Sequence, residues 1–362
     1  MTYMKKIIYL ITLSVLLFAG CSKHSVAPEA PEQFDRYIFF SQQVQTKASL
    51  IESGDAMGQF GVVGFKYDKD QYEDFADFIS ENPTQKPNVF FDDAGARVDV
   101  ETCRVDGTNA SYAPLQGWSN SKKYSFFAYY PIENDHVTLV NTADGKAYSG
   151  GVPAIKYSMS GTDFKESMVD VMVAAPHTNL DGSSSDVTSN DVTFSFNHCL
   201  SSLGVNIQNA SAGSIEITGV SLALSNIKFS TVIVPLDGTT ETPSGSISDQ
   251  SCDLLLADAE KSIASGTTDH ELSDKLILIP QNDENLSVGV TISYKRIYGS
   301  GDDKTEIIGQ FATPNASPLK TTLLKGKKHL IHLKFTDSTV EVTGQVSNEG
   351  WVPIPDVESS FN

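Results

Sequence analysis

The chain has 362 residues and a formal net charge of −19, from 45 acidic and 26 basic side chains. A chain this acidic does not use its charge to hold nucleic acid, so that class of partner is excluded. Its length is sufficient for two ordinary domains.

The first 21 residues are organised like a bacterial secretory signal. A positively charged start is followed by an apolar run, Ile7 to Phe18, that is too short to span a bilayer, and then by Ala19-Gly20 directly before Cys21. Residues 17–21 resemble a lipobox, which predicts that the mature protein begins at Cys21 and is held in the outer membrane by acyl chains on that cysteine. The alternative is ordinary secretion with an unmodified Cys21.

Residues 22–35 form a polar segment with two prolines, which predicts a flexible tether. Beyond it, runs of aromatic and β-branched residues bounded by turn residues predict an all-β protein. The predicted strands are Tyr37 to Val44, Gly58 to Tyr67, Lys123 to Tyr130, Asp170 to Ala175, Val192 to Phe196, Leu203 to Ile207, Ser214 to Leu224, Lys228 to Val234, Leu276 to Ile279, Val288 to Tyr298, Lys304 to Phe311, His329 to Phe335 and Thr339 to Val346.

One stretch predicts a helix and another a domain boundary. Between Gln71 and Ser80, apolar residues recur at three- and four-residue spacing, which is typical of an amphipathic helix. Between Thr178 and Asn190, the composition changes to Asp, Ser, Gly and Asn, which favours a linker. We therefore expect an N-terminal β-sandwich over residues 36–180 and a C-terminal β-sandwich over residues 181–362.

The sequence contains no nucleophile elbow, phosphate-binding glycine loop or Cys-x-x-Cys pair. His329 and His332 lie in a predicted strand, where alternation places them on opposite faces, so we do not expect them to share a metal. His198 and Cys199 are also neighbours on a strand, and we expect a core position for one and a polar contact for the other. The sequence predicts no catalytic site, no metal and no cofactor.

Three cysteines remain besides Cys21, and three thiols cannot all pair with one another. A bridge between Cys199 and Cys252 and buried free thiols, including Cys103, are both consistent with the sequence.

Several short segments follow one another in the order of a known family. They are the lipobox, Gln45-Thr46-Lys47-Ala48, Phe60 to Phe65, Tyr124 to Tyr130 ending at Pro131, Asp170 to Ala174, Val192 to His198, Gly326 to Leu330 and the tail containing Trp351. Together they resemble the fimbrillin family of Bacteroidetes, the subunits of type V pili and related surface lipoproteins. The resemblance runs through the whole chain and implies two tandem Greek-key β-sandwiches of transthyretin-like type.

The resemblance also implies a mechanism of assembly into a fimbrium. In the family, a protease cuts after a basic residue just past the first strand, and the groove left by that strand is filled by a strand from a neighbouring subunit. The matching cut lies between Lys47 and Ala48, with Arg36 as a weaker candidate, and the strand removed is Tyr37 to Val44. The donor matches residues 340–362. If Lys47 is an ordinary loop residue and the tail a strand of its own sandwich, the protein is an anchor, a tip protein or a non-polymerising relative.

Two further possibilities concern sugars. Asp337-Ser338-Thr339 resembles the short O-glycosylation signal of Bacteroidetes, which implies a glycan on Ser338. An alternative function is that of a surface glycan-binding lipoprotein from a polysaccharide-uptake system, with Trp118, Tyr112 and Tyr148 as an exposed aromatic platform.

Overall fold

The computed structural model describes residues 36–44, 57–142, 144–313 and 319–343; of residues 44, 283–285 and 343 it describes the backbone alone. The fold is all-β. The strands are β1 (Phe40–Val44), β2 (Gln59–Asp68), β3 (Glu101–Asp106), β4 (Asn109–Ser111), β5 (Lys122–Tyr130), β6 (Val137–Asn141), β7 (Pro153–Ser158), β8 (Met172–Ala174), β9 (His177–Asp181), β10 (Val192–His198), β11 (Ser201–Asn209), β12 (Ser214–Ser225), β13 (Thr231–Pro235), β14 (Thr242–Ser244), β15 (Gln250–Leu254), β16 (Ser262–Ile263), β17 (Leu276–Leu278), β18 (Gln281–Tyr298), β19 (Thr305–Ala312), β20 (Leu319–Leu323), β21 (Lys328–Phe335) and β22 (Val340–Thr343). The helices are α1 (Phe75–Glu81) and α2 (Ser185–Thr188), with short 3-10 turns at Asp258–Glu260 and Gly301–Asp303.

The N-terminal sheet closes into a ring. Its strand order is β2-β3-β4-β1-β10-β8-β5, and β5 pairs again with β2, while β9 lies beside β5. Aromatic side chains fill the inside, among them Phe40, Phe60, Phe126, Phe194 and Phe196. Each of these seven strands has a partner strand on both sides, so none of them is an edge strand over its whole length.

The outer side of β2 and β5 is buried as well. Helix α1 packs there: Phe75 and Phe78 contact Tyr67, with ring centroids 6.3 and 4.9 Å from the tyrosine ring. The helix begins at Phe75 rather than at the predicted Gln71, because the side chain of Asp74 accepts a hydrogen bond from the Asp77 amide and caps the first turn. Burial on both faces explains the unbroken apolar run of β2.

Three other sheets complete the fold. Their strand orders are β17-β11-β21-β22, β15-β12-β18-β19 and β14-β13-β7-β6, with β16 beside β12 and β20 beside β18. The first two share one hydrophobic cluster that contains Val205, Leu222, Ile292 and Leu333. Aliphatic side chains on the inner faces therefore hold the C-terminal part together.

Strand pairing in the described residues crosses the predicted boundary at residue 180 in two of the sheets. Strand β10 belongs to the N-terminal ring, and β7 pairs with β13. The stretch expected to be a linker contains β9 and α2, and Thr188 at the end of α2 is buried. The division into 36–180 and 181–362 stays a prediction, as does the Greek-key topology.

The cysteines and His198, which the sequence suggested as candidates for chemistry, have structural roles in the core. Cys103, Cys199 and Cys252 are free and buried, so the proposed bridge does not form. Nδ1 of His198 lies 2.7 Å from a carboxylate oxygen of Asp170, whereas Cys199 is a core residue, which confirms the expected separation of their roles.

His329 is fully buried in β21, and its Nε2 accepts a hydrogen bond from the Leu324 amide at 3.1 Å. His332 on the same strand is partly exposed. Within the described ranges, no group of three His, Cys, Asp or Glu side chains is placed to hold a metal ion. Nor does any helix in those ranges have the length and apolar character needed to cross a bilayer.

Candidate functional site around the first strand

From Tyr37 to Gln43, buried side chains alternate with exposed or partly exposed ones. Ile38, Phe40 and Gln42 point into the ring and are 0%, 1% and 2% exposed. Tyr37 and Phe39 point outward and are 44% and 48% exposed. This alternation is the pattern of a strand with one face on a core.

Strand β1 is held more firmly on one side than on the other. It runs parallel to β10 over five residue pairs, from Phe40 opposite Val192 to Val44 opposite Phe196. On its other side it is antiparallel to β4 over only two pairs, Phe40 with Ala110 and Ser41 with Asn109. The ring therefore depends on β1 to bridge β4 and β10, which do not pair with each other.

Side chains on the outer face strengthen the pairing with β10. The hydroxyls of Ser41 and Thr193 lie 2.7 Å apart, and Nε2 of Gln43 donates to the Ser195 hydroxyl at 2.7 Å. Both bonds are exposed, so each contributes about 1 kcal/mol at most.

Phe40 is the centre of the buried stripe. Its ring lies 5.3 Å from the rings of Tyr112 and Phe126, 5.5 Å from Phe194 and 6.2 Å from Phe90. Contacts at these distances are worth about 0.5–1.5 kcal/mol each beyond the area that they bury. The four rings form a socket for one large apolar side chain.

Ile38 lies next to Tyr112, which forms a hydrogen bond with its backbone. The Tyr112 hydroxyl donates to the Ile38 carbonyl at 2.9 Å and accepts from the Gln116 amide at 3.2 Å. The Ile38 amide donates to the Gln116 carbonyl at 2.8 Å. Burial raises the pKa of Tyr112, so its hydroxyl stays protonated and remains a donor at neutral pH.

Gln42 continues the buried stripe toward the end of β1. Its amide donates to the Thr108 carbonyl at 2.8 Å, and its side-chain Nε2 donates to the Gly107 carbonyl at 3.1 Å. A glutamine at an inward position therefore fixes the strand against the turn between β3 and β4.

These contacts define a groove that β1 of the same chain fills in extended form. Without β1, two strand edges and an aromatic-lined groove would be exposed, and both are costly to leave in water. A replacement strand with apolar side chains at alternate positions would restore the hydrogen bonds and the packing.

Of the two predicted cut positions, Arg36 lies within the described residues. The Arg36 guanidinium donates to the Thr188 hydroxyl and to the side-chain carbonyl of Asn120, and the Arg36 carbonyl accepts from the Trp118 amide at 3.0 Å. A protease must draw a segment out into extended form, so these bonds oppose cutting at Arg36. Lys47 and Ala48 lie outside the described residues, as does Cys21.

The beginning of the predicted donor segment lies on the edge of a C-terminal sheet. Strand β22 pairs antiparallel with β21, with Val340 opposite Phe335 and Val342 opposite Leu333. Both valines pack partly buried against the core. The rest of the segment, 344–362, lies outside the described residues.

The predicted glycosylation residue, Ser338, is exposed in the turn between β21 and β22. The turn is fixed by its neighbours: the Thr339 amide donates to the Thr336 hydroxyl at 3.0 Å, and Asp337 accepts from the Ala212 amide at 2.8 Å. The hydroxyl of Ser338 is thus presented on an ordered turn.

The expected aromatic platform for glycans is wrong. Trp118 and Tyr112 are 5% and 7% exposed and belong to the inner cluster of the ring. Tyr148 is partly buried, and its hydroxyl donates to the Gly151 carbonyl at 2.7 Å. Trp118 and Tyr112 therefore pack in the core and are not available to stack on a sugar, and the three residues form no exposed platform.

Sequence reasoning found β1 but not the residues that form its socket. Phe126 and Phe194 lie in predicted strands, yet nothing local to them indicates that they meet a strand near residue 40. The sequence suggests Tyr112 only as part of an exposed aromatic platform, whereas it lies in the core. Its only sequence signal is the turn that follows at Pro114, which brings the chain back beside Ile38.

The comparisons with known proteins agree with this architecture. A family model described as fimbrillin-like matches residues 67–351. A fimbrial protein from Bacteroides vulgatus has a similar structure, with a TM-score of 0.54, 19% identity, and coverage of 88% of this chain and 100% of that one. A candidate cell adhesion protein from Bacteroides ovatus has a TM-score of 0.42, 15% identity, and coverage of 86% and 96%. No curated protein matches significantly. Because the family model covers most of its length, the chain belongs to the fimbrillin-like family.

Proposed function

We propose that the protein is a lipid-anchored structural and adhesion subunit of a fimbrium of the type V pilus kind, without catalytic activity. It is assembled by strand exchange after a protease removes β1. The observation that carries the proposal is the alternating stripe Ile38, Phe40 and Gln42 on a strand that bridges β4 and β10.

The remaining parts of the proposal come from the sequence. Cys21 carries the lipid and holds the precursor in the outer membrane facing the cell surface, and the cut falls between Lys47 and Ala48. Residues 340–362 of one subunit replace β1 of the next, and the chain is organised as two Greek-key β-sandwiches of transthyretin-like type. The partners are other fimbrial subunits and surface ligands.

Energetics favour replacement over simple loss of β1. Burial of Ile38 and Phe40 contributes about 1.5–3 kcal/mol for each side chain. Loss of the strand also removes backbone hydrogen bonds along both β4 and β10. An opened subunit is therefore unstable as a monomer and gains free energy by accepting a strand from a neighbour.

Limited trypsin digestion of the purified mature protein tests this mechanism. We expect one early cut after Lys47, identified by N-terminal sequencing, followed by a ladder of oligomers on an unboiled denaturing gel. A Lys47→Gln variant should resist the cut and remain monomeric. An Arg36→Gln variant serves as the matched control and should be cut and assemble like the parent protein.

A cut at Lys47 that leaves only monomer would contradict strand exchange by this chain. One observation favours that second possibility: the first residues of the donor segment already pair with β21 of their own chain. The protein would then be a non-polymerising anchor or tip subunit.

We also propose an O-linked glycan on Ser338. Support comes from the sequence Asp337-Ser338-Thr339 and from the exposure of Ser338 on its turn. Glycan staining of the secreted native protein should disappear in Ser338→Ala and persist in Thr336→Ala, whose hydroxyl lies in the same turn. An unmodified mass for the native protein would refute the modification.

A further inference from the structure

A groove opens beside β3, on the side of the ring away from β10. Within β3, only Arg104, Val105 and Asp106 pair with β4, so Glu101 to Cys103 extend beyond the end of that pairing. After Ser111 the chain continues into Tyr112 and does not follow β3 further. The structure has a groove of about 680 Å³ at this position.

The lining of the groove is mostly polar. Glu101 and Tyr112 contribute from the buried side, and Gln59, Arg104 and Glu133 from the exposed side. Nε2 of Gln59 donates to a carboxylate oxygen of Glu133 at 3.3 Å. With two carboxylates and one guanidinium, the lining carries a net negative charge when all three groups are ionised.

Glu101 is the unusual member of this set. Its side chain is only 9% exposed, and no lysine, arginine or histidine of the described residues forms an ion pair with it. The pKa of Glu101 is raised to about 7, chiefly by burial and to a smaller extent by Asp93, while a hydrogen bond from the Thr102 amide opposes the shift. Buried carboxylates are otherwise found paired, because an isolated charge loses its hydration.

We propose that this groove binds an ammonium group on an alkyl stem, with Glu101 as its counter-ion. The chemistry is shared by a lysyl side chain of a partner protein and by a free alkylamine. Glu133 at the exposed side adds a second acceptor for the ammonium protons. A metal ion fits less well, since no group of three suitable ligands occurs in the described ranges.

Binding of a cation at this position must be coupled to proton release. A cation binds the ionised form of Glu101, on which the charge of Asp93 acts directly. The other titratable groups facing the groove are Glu133, Arg104 and Tyr112, whose hydroxyl stays neutral. Near pH 7 about half of the Glu101 carboxyl groups carry a proton, so binding expels about half a proton for each ligand. At pH 8.5 the group is ionised beforehand and almost no proton is released.

Isothermal titration calorimetry of the full mature chain tests the proposal. The probe is lysine blocked as the Nα-acetyl amide, titrated at pH 7.0 and 8.5 in two buffers with different ionisation heats. We expect saturable binding, release of about half a proton at pH 7.0 and almost none at pH 8.5. Glu101→Gln should weaken binding at least tenfold and abolish proton release. Glu133→Gln should weaken binding but leave the proton release at pH 7.0 unchanged.

Two comparisons make the outcome decisive. Glu306→Gln, an exposed carboxylate that pairs with Lys304, should bind like the parent protein and serves as the control. Butylamine in place of blocked lysine separates the two sources: equal affinity indicates a free amine, and tighter binding of blocked lysine indicates a protein partner. Absence of saturation, unchanged binding in a folded Glu101→Gln variant, or calcium binding without amine binding would overturn the proposal.

Discussion

Replacement of Phe40 by alanine should loosen β1 more than any other single change in that strand. The phenylalanine ring is 1% exposed and fills the socket made by four other aromatic rings. Alanine would leave most of that socket empty, because the surrounding rings come from β5, from β10, from the residue after β4 and from the segment before β3, and cannot collapse together.

The expected magnitude follows from the buried area. Burial of a phenylalanine side chain contributes about 1.5–3 kcal/mol, and the cavity that alanine leaves adds to this loss. Substitutions of this kind cost about 3–5 kcal/mol in protein cores. If β1 opens locally, the amides of Phe40 to Val44 should exchange about 10² to 4 × 10³ times faster, since each 1.4 kcal/mol is a factor of ten.

Hydrogen exchange measured by mass spectrometry on peptides covering residues 36–44 provides the readout, with urea unfolding as the measure of global stability. Ser41→Ala is the matched control on the same strand; it removes only the exposed bond to Thr193 and should change stability by less than 1 kcal/mol. A loss below 1 kcal/mol for Phe40→Ala would refute the view that the inner face holds β1 in place.

Three further predictions concern the core. Burial lowers the pKa of His329 to about 4, below its ordinary value of 6.5. The free energy of unfolding should therefore fall by up to about 3 kcal/mol as the pH drops from 6.5 to 4, because the unfolded chain binds the proton more readily. In urea titrations, His329→Leu should make this pH dependence weaker. Gly64→Ala places a methyl group 2.6 Å from the Phe90 ring and should cost about 1–3 kcal/mol in thermal or urea unfolding, whereas Gly219→Ala meets no atom within 4 Å and should be neutral. Burial raises the pKa of Cys199 to about 12, so its thiol should react with a disulfide reagent only after unfolding, and rapid labelling in the native state would contradict its placement in the core.

The sequence predicted strands best where both faces or one whole face are apolar. The runs around Val62 and Phe126 are examples, because burial on both sides leaves little room for polar residues. Strands with mixed composition were missed, such as β3 and β7, where residues like Glu101 and Lys156 interrupt the apolar pattern. Their pairing is decided by neighbours distant in the chain, which no local pattern contains.

At the candidate site, too, the strand is predictable from the local sequence but its pairing partners are not. The alternation of Ile38, Phe40 and Gln42 is visible locally and supports a strand with one buried face. Its parallel pairing with β10 joins residues 152 positions apart, as in the contact of Ser41 with Thr193, and a local pattern cannot foresee it. The polar stretch after Thr178 favours a linker by its composition, because serine and aspartate are common in turns. In the fold it contains the end of β9 and the short helix α2.

The position of β1 has a consequence for any filament built by replacing it. Strand β1 is parallel to β10 and antiparallel to β4, so only a peptide running in the same direction as β1 reproduces both pairings. A peptide inserted backwards would reverse both relations and misplace the hydrogen bonds. Successive subunits would therefore all point the same way, and the filament would be polar, with two chemically different ends and a head-to-tail contact that leaves one end always open to the next subunit.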